Sequence, residues 1–123
     1  MMTSAATIFT VRDLAASVAF YRDRLGFTVT FEYGEPAYYA CLCRDEVGLH
    51  LRSGHGSPSW RPGNGALAVF VTDVDALYDE LLARGARPPK PPQDYAYGMR
   101  DFTIEDPDGN EITLGMATGE PAT

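Results

Sequence analysis

Ala6-Thr7-Ile8-Phe9-Thr10-Val11-Arg12-Asp13 and Ala66-Leu67-Ala68-Val69-Phe70-Val71-Thr72-Asp73 are one unit written twice. Each alternates as a strand does and runs into an aspartate, a residue that caps a helix N-terminus through its side-chain oxygen. An amphipathic stretch follows each, ending at Gly26 in the first copy and Gly85 in the second, where glycine can take the left-handed conformation that closes a helix. A unit that occurs twice indicates a duplicated module, since a solenoid needs about three or more repeats to bury its faces.

Working outward, the first helix carries an apolar stripe at Leu14, Val18, Tyr21 and Leu25. Strands are predicted over residues 27–33, 37–43 and 47–53, separated by turns at Gly34-Glu35-Pro36 and Arg44-Asp45-Glu46. The second helix has its stripe at Val74, Leu77, Leu81 and Leu82. A short strand is expected near Ala86-Arg87, ahead of Pro88-Pro89-Lys90-Pro91-Pro92, which cannot pair as a central strand. Strands follow over 97–105 and 110–116, joined by Asp106-Pro107-Asp108-Gly109, a type I turn by its proline and glycine placement. The tail after Ala117 is expected to fray. The reading is an α+β domain of two βαβββ modules, about 5–53 and about 65–116, joined by a glycine-rich linker at 54–64 that contains His55 and Trp60. The two modules are expected to form one cup-shaped, mostly antiparallel sheet with the helices outside.

At 123 residues, with 45% hydrophobic residues, the chain suits one folded domain, and each module alone is near the lower limit for a stable core. A net charge of −7 argues against nucleic acid, whose phosphates are neutralised by Lys and Arg. It suits neutral or cationic ligands and solubility. No apolar run approaches the roughly 20 residues of a membrane span, and the N-terminal residues carry no basic signal region. Cys41 and Cys43 share one strand face, a spacing at which a disulfide is rare. Free thiols in a reducing, cytoplasmic setting are expected.

Strand parity assigns the faces. Thr7, Phe9 and Val11 match Leu67, Val69 and Val71 as the helix side of the first strands. Leu49 and Leu51, Ile112 and Leu114, Ala40 and Leu42, and Phe102 and Ile104 continue that side. The cup side then holds Tyr39, Cys41, His50, Arg52, Phe70, Met99, Asp101, Thr103, Glu111 and Thr113. The duplication pairs Ala6 with Ala66 and His50 with Thr113.

The stretches from Val11-Arg12-Asp13-Leu14 to Phe20-Tyr21-Arg22-Asp23-Arg24-Leu25-Gly26-Phe27, then Tyr97-Gly98-Met99-Arg100-Asp101-Phe102, then Asp106-Pro107-Asp108-Gly109-Asn110 resemble the vicinal oxygen chelate superfamily. That superfamily holds glyoxalases, extradiol dioxygenases and the fosfomycin- and bleomycin-resistance proteins. The likeness covers about residues 5–116. In the metalloenzymes of the family, metal ligands stand at positions that correspond here to Ala6, His50, Ala66 and Thr113. Two methyl groups, a hydroxyl and one imidazole make a poor set, because such sites need about three N, O or S ligands. In the Gly98-Met99-Arg100-Asp101-Phe102 region, the linker and the length, the chain resembles the metal-free, bleomycin-resistance-like branch, which implies a homodimer, no cofactor and no catalytic residue.

The function expected is metal-independent sequestration of a small aromatic or amphiphilic antibiotic or natural product. Tyr39, His50, Arg52, Trp60, Phe70, Tyr95, Tyr97, Met99, Asp101 and Thr113 are the candidate ligand contacts, the rings offering stacking faces. The alternative is a glyoxalase- or dioxygenase-type lyase or oxidoreductase with an atypical metal site, or with His50 as acid or base assisted by Glu111 or Asp101. A member with no ligand is the third reading. Trp60 packs on its own domain, on a partner or on a ligand. Arg100 is expected to pair with neighbours such as Asp101 or Glu105.

Overall fold

The computed structural model describes residues 1–54 and 59–119, so His55 and the end of the tail lie outside the described residues. The elements run β1 (Ala6–Val11), α1 (Leu14–Leu25), β2 (Thr28–Gly34), β3 (Ala37–Arg44), β4 (Val47–Ser53), β5 (Ala66–Phe70), α2 (Val74–Ala83), β6 (Gln93–Tyr95), β7 (Met99–Glu105) and β8 (Glu111–Ala117). They form two four-stranded mixed sheets, ordered β1-β4-β3-β2 and β5-β8-β7-β6. In each, the first strand is parallel to the last and the other pairings are antiparallel. This is the βαβββ order written twice. Among the described residues no helix is long and apolar enough to cross a membrane.

The chain divides into two compact units. The first is Met1–Gly65 together with Asp106–Asn110, and the second is Ala66–Glu105 together with the chain from Glu111 on. In the first unit Asp13 caps α1 by accepting the Ala16 N–H at 3.1 Å. Gly26, at φ 74°, closes the other end, and the N–H groups of Gly26 and Phe27 both meet the Tyr21 carbonyl. Arg22 and Arg24 in the last turn complement the helix dipole. Leu14, Val18, Tyr21 and Leu25 pack onto Phe9, Ala40, Leu42, Leu49 and Leu51, all buried. Each large apolar side chain so buried contributes about 1.5–3 kcal/mol.

The Asp106-Pro107-Asp108-Gly109-Asn110 segment does more than turn the chain. One Asp106 carboxylate oxygen accepts the N–H groups of Asp108 and Asn110, both at 2.9 Å. The other accepts the Tyr21 hydroxyl and the Asn110 amide, both at 2.9 Å. Asn110, wholly buried, also donates to the Thr10 carbonyl and accepts the Gly65 N–H at 2.8 Å. Asp108 takes the backbone N–H and guanidinium of Arg12. The motif is a docking plug within the first unit, which sequence spacing showed only as a turn.

In the second unit Asp73 caps α2 by accepting the Ala76 N–H at 3.0 Å. Val74 and Leu81 are buried with Phe102, Ile104, Ile112 and Leu114. Tyr78 meets Phe102 edge-on at 5.2 Å. Leu82, expected in the buried stripe, is 44% exposed, because it follows Leu81 off the inward face. The strand expected at Ala86-Arg87 does not form. The Gly85 N–H bonds the Leu82 carbonyl and the Ala86 N–H bonds Leu81, a Schellman closure that uses the amides a ladder would need. The edge strand is β6 instead, beyond the prolines. The strand expected from Tyr97 starts at Met99, since the Gly98 N–H turns back to the Tyr95 carbonyl. Arg100 corrects another expectation: it binds Asp75 of α2 at 2.8 Å and Asp94 of β6 at 3.1 Å, not Asp101 or Glu105. Thr118, in the tail expected to fray, donates its N–H to the Gly98 carbonyl.

Candidate functional site

Each sheet keeps one face off its helix, and the register lays out what stands there. In the first unit Ile8, His50, Cys41 and Phe31 form one row across β1, β4, β3 and β2. Thr10, Arg52, Tyr39 and Tyr33 form the next. Phe31 and Tyr33 reach this face through a bulge. The register shifts between Val29 and Phe31, so Val29 sits opposite Leu42 of the helix side and Phe31 opposite Cys41 of the open side. Both rings are more than half exposed.

Polar contacts organise the centre of this face. The Tyr39 hydroxyl and His50 Nδ1 lie 2.8 Å apart. Burial pushes the Tyr39 phenol up, the Cys41 thiol adds to that, and the Arg52 charge opposes it. A phenol that stays protonated can donate to Nδ1, and the imidazole proton then sits on Nε2. Arg52 donates from Nε to the Thr10 hydroxyl at 2.9 Å. Its guanidinium carbon lies 3.6 Å from the ring centroid of Trp60, a cation–π contact. Trp60 therefore packs on its own unit.

The open face of the second unit carries Phe70, Gly115, Asp101 and Gln93 in one row, and Ala68, Thr113 and Thr103 in the next. Phe70 is 79% exposed. Tyr95 and Tyr97 stack with centroids 5.3 Å apart and planes 3° from parallel. The Tyr97 hydroxyl donates to Asp101 at 2.6 Å. That hydrogen bond, then burial and the carboxylate charge, push the Tyr97 phenol up to about 12. Gly115 lets Asp101 and Met99 close in, since a Cβ there would stand 2.8 Å from Asp101 Cβ and 3.3 Å from Met99 Cε. The Thr113 and Thr103 hydroxyls are bonded at 2.9 Å.

The predicted contacts thus fall into two groups. Tyr39, His50, Arg52 and Trp60 come together on the first unit, and Phe70, Tyr95, Tyr97, Met99, Asp101 and Thr113 on the second. Glu111 stands opposite Ala66 and Glu105, exposed. Register supports the duplicate pairing: His50 faces Ile8, two residues beyond Ala6, as Thr113 faces Ala68, two beyond Ala66. Among the described residues no three His, Cys, Asp or Glu side chains converge as a metal site. Thr10 was not singled out as a contact from sequence, although the alignment of β1 with β4 puts it beside Arg52. Phe31 was missed because nothing in residues 27–33 announces a bulge. A shallow groove of about 670 Å³ runs along α1 and β2 past Val18, Arg22 and Phe27, and none of the predicted contacts lines it.

Comparison with known proteins bears on the family and the fold. The pattern of the Glyoxalase/Bleomycin resistance protein/Dioxygenase superfamily matches residues 4–114. A bleomycin resistance protein of Geobacillus stearothermophilus is 30% identical over 120 residues, covering 85% of this chain and 89% of that protein. A glyoxalase/bleomycin resistance protein from Catenulispora acidiphila superimposes with a TM-score of 0.76 at 30% identity, over 94% of this chain and 99% of that one. The bleomycin-binding protein of bleomycin-producing Streptomyces verticillus, solved with copper(II)-bleomycin, gives a TM-score of 0.73 at 26% identity, over 98% of each chain.

Proposed function

Since the chain belongs to the Glyoxalase/Bleomycin resistance protein/Dioxygenase superfamily, we propose that it binds and sequesters a small aromatic or amphiphilic molecule, an antibiotic or natural product, as a homodimer without a metal and without catalysis. The observation that carries this reading is the stacked Tyr95–Tyr97 pair, 37% and 59% exposed and pinned by Asp101. Rings fixed before a ligand arrives bind without a further ordering cost. Each ring pair adds about 0.5–1.5 kcal/mol beyond area burial. The bleomycin resistance relatives and the bleomycin-bound protein of Streptomyces verticillus support the binding role. Ala6, Ala66 and Thr113 at the family's ligand positions support the metal-independent part.

The test is isothermal titration with bleomycin, metal-free and copper-loaded, and with a panel of polyaromatic natural products, alongside light scattering for the oligomer. A binder is expected to raise the melting temperature, by an amount equivalent to about 2.7 kcal/mol at a hundredfold excess over Kd. No heat and no thermal shift from any member of the panel would overturn the reading.

One observation favours a second reading, in which His50 acts as an acid or base. Its Nδ1 is held by the Tyr39 hydroxyl at 2.8 Å, the orienting contact that a catalytic imidazole uses. An activity lost in His50→Ala would support this reading, and metal analysis of protein purified without chelator separates its metal-dependent version, an enzyme with an atypical metal site. Stoichiometric Zn, Ni, Mn or Fe lost with the imidazole would favour the enzyme.

A further inference from the structure

The open face of the first unit holds a cation that no acid among the described residues neutralises. Aspartate and glutamate outnumber lysine and arginine, 17 to 10. Arg12, Arg22, Arg84 and Arg100 each hold a carboxylate. Arg52 is half-buried, yet among the described residues it meets no acid. Its two contacts are the Thr10 hydroxyl at Nε and the Trp60 ring against its plane. Both fix the guanidinium without using Nη1 or Nη2. A partly desolvated charge with no counter-ion is costly, and a planar fork with two unused donors matches a two-oxygen acceptor. Tyr39 lies directly across the strands from Arg52, and its hydroxyl is bonded to His50. Every polar side chain in this cluster is a donor or can present one, and no carboxylate shares the two rows.

We infer that Arg52, stacked on Trp60 and anchored by Thr10, receives an oxoanion of the ligand, a carboxylate or phosphate group, with the Nε2–H of His50, oriented by the Tyr39 hydroxyl, as a neighbouring donor. This rests on the reading of the chain as a binding protein and narrows it. The acidic overall charge suggests neutral or cationic ligands, but this face selects for a negative group attached to an aromatic body. Trp60, the one tryptophan of the chain, reports on the guanidinium that covers it.

The chain is titrated at constant ionic strength with phenyl phosphate, benzoate, benzyl alcohol, benzamidine and inorganic phosphate, by calorimetry and Trp60 emission. At least one of phenyl phosphate and benzoate is expected to bind about tenfold more tightly than benzyl alcohol, and which one identifies the oxoanion. Arg52→Gln should bring that ratio to about one, and Arg52→Lys should retain part of it because charge survives without the fork. Thr10→Val, which removes only the anchoring oxygen, should lower the ratio without abolishing it. Neutral or cationic probes binding as tightly as both anions would overturn the inference while leaving the binding reading intact. So would a preference that survives in Arg52→Gln. If inorganic phosphate alone bound, and its binding were lost in Arg52→Gln, the anion site would stand and the aromatic reading would fall. No binding by any probe would overturn both.

Discussion

Replacing Tyr21 by Phe removes one oxygen from the centre of the first unit and leaves the ring in place. The phenol is wholly buried, meets Phe20 and Phe27 edge-on at 5.3 and 5.9 Å, and donates to Asp106 at 2.9 Å. Burial first, and the Asp106 charge second, push the Tyr21 phenol far up, so it is a donor throughout the working pH range. The ring contacts survive the substitution, and the loss is one hydrogen bond to a carboxylate, about 2 kcal/mol. An unfolding entropy of about 2.1 cal/mol/K per residue over 123 residues gives ~260 cal/mol/K, so the melting temperature should fall by ~8 °C. Urea unfolding at neutral pH should show the midpoint moving with the slope unchanged. A loss below about 0.5 kcal/mol would mean that the other three hydrogen bonds on Asp106 hold the 106–110 segment by themselves, and the account of it as a plug keyed to Tyr21 would be wrong.

The Tyr97 phenol, raised to about 12 in the folded chain, should ionise well above the ordinary tyrosine value of about 10. Stability from this group is complete below its ordinary value of about 10 and is lost as pH climbs through the folded value. Near-ultraviolet tyrosinate absorbance should show Asp101→Asn moving that titration back down. Arg100→Gln should loosen β6, read as faster amide exchange at residues 93–95, with little change in global stability because the pair is solvent-screened. Because Arg100 holds the Asp75 carboxyl below its ordinary range, the wild-type pair stabilises the fold above that range and loses its effect as pH falls through the lowered value. The variant should lack that dependence, and an unchanged acid unfolding profile would count against the clamp.

Much of the architecture was legible because local chemistry and tertiary structure agree. Asp13, Gly26, Asp73 and Gly85 bound their helices by capping chemistry that does not depend on distant residues. The alternation of Phe9, Val11, Leu49 and Leu51 fixed the helix side of the first sheet, since a one-residue slip would expose every one of them. What escaped depended on partners far along the chain or on backbone detail. Arg100 had acids beside it in sequence, but its strand direction points it to Asp75 and Asp94. Asp106 and Asn110 satisfied a turn pattern so completely that their bonds to Tyr21, Thr10 and Gly65 left no separate trace. The candidate contacts were legible as face members, and their grouping was not, because hydroxyl and guanidinium partners are set by rotamers that parity does not specify. Arg52 is the clearest case, since register placed it beside Thr10 and nothing in strand pattern placed Trp60 over it.

The bulge in β2 gives this chain an unusual evolutionary handle. Deleting the single codon for Thr30 would take out the extra residue and restore simple alternation, with Phe31 still opposite Cys41 and Tyr33 still opposite Tyr39 on the open face. One amino acid can thus be lost from this edge strand without moving either ring, whereas regular pairing that kept all of its residues would turn both toward α1. Length variation at that position is a change relatives should accept while keeping the same rings on the open face.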